Sequence, residues 1–322
     1  MIMQKSTVTP ATLKKNTWYS GWGRELKKNK LLYLLILPAI IYVFIFSYIP
    51  MGGIIIAFKD YKFNLGVFKS PWVGFDNFKF LISSGKLWNL TVNTLSYNIT
   101  FRIVGTIAEM FMAIMITEMA TKYYKRAVQS VMMLPHFLSW VIIGGMAYSL
   151  LNYEFGTINN VLASLGFERI DVYSNPTAWR VIFPLTYLWH GCGYGMIYYL
   201  AAVTGINTEL YEAAYLDGCG LLKRIRHVTL PLILPTTCIL TLLNLGSVLK
   251  GNMDMFYQLV GNNANLYNAT DVIDTYVFRT LTQLKDYAVT SASGLYQNVL
   301  GCILVLTVNW IVGKIDKDSA IF

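Results

Sequence analysis

Glu212–Pro231, EAAYLDGCGLLKRIRHVTLP, is a helix-forming stretch of mixed polarity set between two long apolar segments. Asn207 or Thr208 can cap a first helix, which places Glu209 and Glu212 in its positive N-terminal turn. Ala213 and Ala214 favour helix and leave room for another surface to approach. Gly218 is placed to end that helix in a conformation that a Cβ resists. A second helix is expected with Leu222, Ile225 and Val228 on one side, Lys223, Arg224 and Arg226 outward, and Pro231 as its stop. A short helix across the base of membrane spans can carry a push from a cytoplasmic partner into the membrane. The competing reading is an interfacial amphipathic helix with no partner.

The rest of the chain says where this stretch lies. The 322 residues are 55% hydrophobic and 13% charged, against about 25% charged in soluble domains. A membrane helix needs roughly 20 mostly apolar residues, and about six segments qualify. They run over Leu31–Ala57, Val92–Met119, Val128–Leu151, Ala178–Val203, Leu232–Leu249 and Ser293–Val312. The first is too long for a signal-peptide core and lacks a small-residue cleavage site, so it reads as an uncleaved anchor. Lys and Arg cluster in the N-terminal arm, in the second-to-third loop (Lys122, Lys125, Arg126), in the stretch at Lys223–Arg226 and in the tail. That bias puts both termini and the opening stretch in the cytoplasm. The first outer loop, with Lys59, Lys62, Lys69, Lys79 and Lys86, is a counterweight.

The net charge of +9 is spread over the ends of apolar segments and forms no dense face, so lipid headgroups explain it better than nucleic acid. Cys192, Cys219, Cys238 and Cys302 are scattered without CxxC spacing, which supports neither zinc nor a disulfide framework. The chain holds no GxxxxGK[ST] loop, so it is not expected to hydrolyse ATP. Three organisational units follow: an interfacial arm over 1–30, a membrane domain over 31–314, and a tail over 315–322. Within the membrane domain, 205–231 is the docking loop. The polar stretch 251–292 is an outer loop expected to fold over the outer mouth or meet an external partner.

Charged groups inside spans are functional suspects. Arg102 lies near the middle of the second span, and Glu109 follows on roughly the same face. Arg102 either lines a pathway and meets an acidic sugar, or forms a pair, with Glu109 or across helices, that locks packing. Glu118 reads as a headgroup-level residue. His190, Tyr194 and Tyr198 recur every four residues on one face of the fourth span. They form either a polar pathway wall or a set of interhelical hydrogen bonds. Gly191, Gly193 and Gly195 alternate beside them and allow close packing or bending. His136, after Pro135, reads as a structural contact near the cytoplasm.

The opening stretch resembles the EAA loop of binding-protein-dependent ABC importer permeases: Glu-Ala-Ala, three residues, Gly, nine residues, an aliphatic residue, one residue, Leu-Pro. The matching residues are Glu212, Ala213, Ala214, Gly218, Val228, Leu230 and Pro231, with Asp217 beside Gly218 and Val228 where Ile is more usual. Asn93-Thr94, Leu134–Trp140, Tyr198–Ala202 and Asp271–Tyr276 extend the resemblance to the carbohydrate-uptake branch, including alginate and rhamnogalacturonan importer permeases. The resemblance implies an all-α integral membrane protein with the type I importer fold and a cytoplasmic coupling helix, in a bacterial inner membrane. It implies a second homologous permease, two ATPase subunits that hold ATP and Mg, and an extracytoplasmic solute-binding protein. The cargo it implies is an oligosaccharide or polysaccharide fragment. Arg102 and the basic outer loop narrow that to an acidic one such as alginate. The alternative is an ion-coupled secondary transporter, which calls for related halves and several embedded acids. Neither is evident in the sequence.

Overall fold

The computed structural model describes residues 28–119 and 121–315. The arm expected over 1–30, apart from its last residues, and the tail over 315–322, apart from Ile315, lie outside the described residues.

The described chain is helical, and its one β-bridge joins Lys59 to Trp72. The described residues divide between Ile54 and Ile55 into two compact units. The first holds α1 (Lys30–Val43) and a π turn over Phe44–Tyr48. The second begins with α2 (Asp76–Ser83), α3 (Lys86–Glu118), α4 (Lys122–Met133), α5 (Trp140–Leu151), α6 (Thr157–Ser164) and α7 (Pro176–Thr204). It continues with α8 (Thr208–Leu216), α9 (Leu221–Arg224), α10 (Leu230–Leu245), α11 (Met253–Val260), α12 (Ile273–Arg279) and α13 (Tyr287–Ile315).

Four helical stretches among the described residues are long and apolar enough to cross a membrane: Lys30–Phe58, Lys86–Glu118, Leu221–Leu245 and Tyr287–Trp310. The expected third span is broken. Its halves, Lys122–Phe137 and Trp140–Leu151, meet at 93°. Leu138 is extended, and the Ser139 side chain caps α5 by accepting from the Ile142 N–H. Such a break within a membrane is tolerated where the freed backbone is buried in protein or lines a cavity. The expected fourth span is α7, whose 29 residues suffice for a crossing. Its Thr, Tyr, His and Gly content makes it less apolar than the four.

Pro231 does not stop a helix, contrary to the sequence reading. The stretch Leu221–Leu245 runs on through a π turn at Ile225–Thr229. The Leu230 N–H reaches back five residues to the Ile225 carbonyl, and Pro231 follows directly. The same device precedes Pro50, where the Ile49 N–H bonds to the Phe44 carbonyl. A proline lacks an N–H and crowds the carbonyl four residues back. One widened turn ahead of it keeps the helix continuous.

The stretch 251–292 is not a peripheral loop. Met255, Phe256 and Leu259 of α11 are buried with Tyr97 and Phe101 of α3, Ile143 of α5, and Trp179 and Phe183 of α7. Helices α5 and α11 come together at Gly144, where an added Cβ would stand 2.3 Å from the Gln258 carbonyl oxygen. The polar residues of the stretch satisfy one another and their neighbours. Asp271 pairs with Arg279 and accepts from Thr275. Asn93 donates to the Asp271 carbonyl, and the Ile273 N–H donates to Thr94 Oγ1. Asn93-Thr94 and Asp271–Tyr276, noted separately in the sequence, are thus two sides of one joint.

Candidate functional site

Two features stand out: a polar cavity among the helices, and the exposed segment 208–231, expected from the sequence to dock a partner. The cavity, of about 520 Å³, is bounded by α3, the break between α4 and α5, α7 and α10. That volume lies in the usual range for small-molecule sites. Arg102, His190, Tyr194 and Tyr198, picked from the sequence, all line it. So do Thr106 and Glu109 from α3, Tyr187 from α7, and Thr241 and Asn244 from α10.

The rings form a connected wall. His136 stacks on Tyr194 with centroids 4.3 Å apart and planes 9° apart. Trp140 lies 4.3 Å from the His190 ring, and Tyr194 meets Tyr198 edge-on at 6.0 Å. Phe101 stacks on Tyr187 at 4.5 Å. His190 is oriented by its Nε2–H, which donates to the Leu138 carbonyl at 3.2 Å. That carbonyl is freed by the extended residue at the α4–α5 break. His136, expected to be a structural contact, lies in the cavity wall just before the α4–α5 break and packs on Tyr194 and His190. Its nearness along the chain to Lys125 and Arg126 concealed this.

Arg102 and Glu109 make no salt bridge with each other, and Arg102 makes none with any described residue. The locking pair considered from the sequence does not form. The cavity therefore presents a cation and a carboxylate separately, beside aromatic faces, hydroxyls and an amide. The glycines on α7 divide by role. A Cβ on Gly193 would stand 1.8 Å from the Met132 carbonyl oxygen, so α7 touches the α4 backbone there. A Cβ on Gly195 would stand 2.1 Å from Glu109 Oε1, while Gly191 has open space.

In the first outer loop Lys62, Lys69, Lys79 and Lys86 are exposed, and Lys59 alone is withdrawn. Lys59 is buried, and its Nζ donates to the carbonyls of Val67 and Phe68. Lys62 pairs with Asp60, and Lys79 with Asp76. Further on, burial pushes the Asp274 carboxyl above its usual range, opposed by hydrogen bonds from the Gly251 N–H and Gln297 and by Lys250.

The docking segment is built by local rules. Asn207 caps α8 by accepting from the Glu209 N–H. At the other end Gly218 has φ +74°. The Cys219 N–H bonds to the Ala214 carbonyl and the Gly218 N–H to that of Tyr215, which is a Schellman termination. Glu212, Ala213 and Asp217 are exposed, as are Tyr215, Leu216 and Leu222. Tyr211, Glu212, Tyr215, Leu216 and Arg224 line a hollow of about 450 Å³. Tyr211 Oη and Thr229 Oγ1 lie 3.0 Å apart and hold α8 to the following helix. Val228 is half-buried, and Leu230-Pro231 begin α10. Arg224 does not point outward as expected. Its Nη2 donates to Glu118 at 3.0 Å, and Glu118 is thus tied to the docking segment rather than to headgroups alone.

A helical membrane domain with an internal polar cavity and an exposed docking segment defines a transport permease. Residues 104–312 match the family described as "Binding-protein-dependent transport system inner membrane component", and the chain belongs to that family. It is 36% identical over 93% of both chains to Protein LplB of Bacillus subtilis. It is 33% identical to the polygalacturonan/rhamnogalacturonan transport system permease protein YteP of the same organism, over 92% of this chain and 91% of YteP. Among solved structures, it resembles a chain of a bacterial ABC transporter involved in the import of the acidic polysaccharide alginate. The TM-score is 0.83 with 33% identity, over 92% of this chain and 99% of that one. A bacterial alginate ABC transporter in complex with an alginate pentasaccharide-bound periplasmic protein gives a TM-score of 0.81 with 34% identity, over 91% and 98%.

Proposed function

We propose that this chain is one permease of a heteromeric ABC importer that moves oligosaccharides, acidic ones among them, across the bacterial inner membrane. The observation that carries the reading is the cavity, where Arg102 stands without a salt bridge to any described residue beside aromatic rings, hydroxyls and amides. Sugars offer apolar ring faces to aromatic side chains and hydroxyls to polar ones. A uronate adds a carboxylate that a guanidinium binds in two-pronged fashion. Relatives named for polygalacturonan/rhamnogalacturonan transport and alginate import agree with that cargo. The docking segment, with Glu212, Ala213, Ala214, Asp217, Gly218, Val228, Leu230 and Pro231, receives an ATPase subunit that holds ATP and Mg. A second permease closes the pathway, and a solute-binding protein delivers cargo from outside; the Lys and Arg bias supports cytoplasmic termini.

The test is reconstitution with the partner permease, the ATPases and the binding protein in liposomes. ATP-driven uptake is measured with acidic and neutral oligosaccharides of equal length. Arg102→Gln lowers acidic uptake about tenfold, the size of one charge-assisted contact of about 1.4 kcal/mol, and leaves neutral uptake near wild type. Equal losses for both cargoes would overturn the role of Arg102. Transport by the isolated chain with an ion gradient and no ATPase would overturn the importer reading in favour of the secondary transporter.

A further inference from the structure

Helix α3 is one unbroken rod of 33 residues, about 50 Å long. Near its start Asn93 and Thr94 bond to Asp271 and Ile273. Along its middle Arg102 and Glu109 line the cavity. Its last residue, Glu118, is bonded to Arg224 of the docking segment.

Nothing local explains a carboxylate at that last position. The C-terminal end of a helix is the negative end of its dipole and disfavours an anion. Lys125 Nζ already satisfies the neighbouring Thr117 carbonyl. The compensating charge comes from Arg224, 106 residues away in sequence. The pair is neither fully wet nor fully buried, with side chains 24% and 28% exposed. It therefore keeps more of its Coulomb attraction than a surface pair. Arg224 is also only partly committed. Its Nη2 serves Glu118, while its Nε is buried with no hydrogen-bond partner among the described residues. The same side chain lines the hollow beside Glu212 and Tyr215.

We propose that the Glu118–Arg224 pair is the link through which a partner seated in the docking hollow moves α3, and with it the charged wall of the cavity. Arg224 lines the hollow, so a partner seated there meets the side chain whose Nη2 holds Glu118. Helix α3 is stiff, so displacement at Glu118 reaches Glu109 and Arg102, about 14 and 24 Å along the axis. Both members of the pair are positioning residues that touch no cargo. The proposal rests on the reading of Thr208–Thr229 as an ATPase dock.

The test uses the full complex in lipid nanodiscs, with Glu118→Gln, Glu118→Asp, Arg224→Glu and the exchange Glu118→Arg with Arg224→Glu. The readouts are co-purification of the ATPase and the ratio of cargo-stimulated to basal ATP hydrolysis. Glu118→Gln assembles normally and lowers that ratio about five- to tenfold, the lower range of coupling between sites. Glu118→Asp falls between it and wild type, and the exchange exceeds Arg224→Glu alone. The proposal is overturned if Glu118→Gln keeps the ratio within about twofold, or if the exchange brings no recovery. It also falls if both Glu118 variants prevent the membrane domain from folding, since the pair is then part of the frame. Failure of the wild-type chain to co-purify with its ATPase would instead overturn the docking reading.

Discussion

The docking segment and the cavity wall are built on opposite plans. The docking segment is one gapless run whose helix ends and turns are set locally: a cap at Asn207, a left-handed turn at Gly218, a widened turn before Pro231. The cavity wall gathers Arg102, His136, Tyr194 and Asn244 from four separate parts of the chain. A local plan fails locally when one residue is changed. A gathered site fails through the backbone contacts that hold its helices together.

The largest effect expected of a single change is on the local side. Glu212 is exposed and lines the hollow at the middle of α8, past the first turn expected for it, where Glu209 is the acidic residue. On the proposed docking reading, Glu212→Lys puts a cation where the partner surface would meet an anion. A central interface residue of this kind is worth about 2 kcal/mol or more, so ATPase affinity falls at least about thirtyfold and uptake is lost. The thermal unfolding of the isolated permease stays at the wild-type midpoint. A lowered midpoint would show that the two regions are not separable in this way.

On the gathered side the alternating glycines supply a graded series. Gly193→Ala meets the Met132 backbone, which cannot rotate aside, and costs about 3 kcal/mol, the upper range of overpacking. Gly195→Ala meets only the end of the Glu109 side chain. It costs about 1 kcal/mol and moves a carboxylate in the cavity, so uptake changes more than stability does. Gly191→Ala meets nothing and is neutral or gains up to about 1 kcal/mol of helix propensity. Thermal unfolding in one detergent ranks the three. Equal effects at Gly191 and Gly193 would deny the close approach of α7 to α4.

What could be read in the sequence follows the same division. The docking helices, their cap and their glycine end depend on neighbours within about five residues, so spacing alone reveals them. Arg102 and the His190–Tyr194–Tyr198 face were visible because charge and polarity inside a span are costly. Glu109 and His136 were visible as residues but not as wall, because their place depends on helices that come together only in three dimensions. Arg224 looked like one of three outward cations, and only the end of α3 distinguishes it. The stretch 251–292 looked like an outer loop folded over the mouth or meeting an external partner, because its Asp, Asn and Thr residues are polar. In the structure Asp271, Thr275 and Asp274 spend that polarity on Arg279, Gly251 and Gln297, which frees the Met255–Leu259 face to enter the core.

The smallest effect separates two reasons for a glycine. Gly193 is required for space. Gly218 has nothing within 4 Å of an added Cβ but sits at φ +74°, so it is required for conformation. Gly218→Ala therefore costs about 1 kcal/mol and frays the end of α8, seen as faster amide exchange at Cys219. Asn accepts the left-handed region better than Ala, so Gly218→Asn recovers part of that loss, and ATPase co-purification recovers with it. If Ala and Asn weaken docking equally while amide exchange at Cys219 stays slow, the glycine serves the approach of the partner. The docking segment then obeys the same rule of space as the cavity wall.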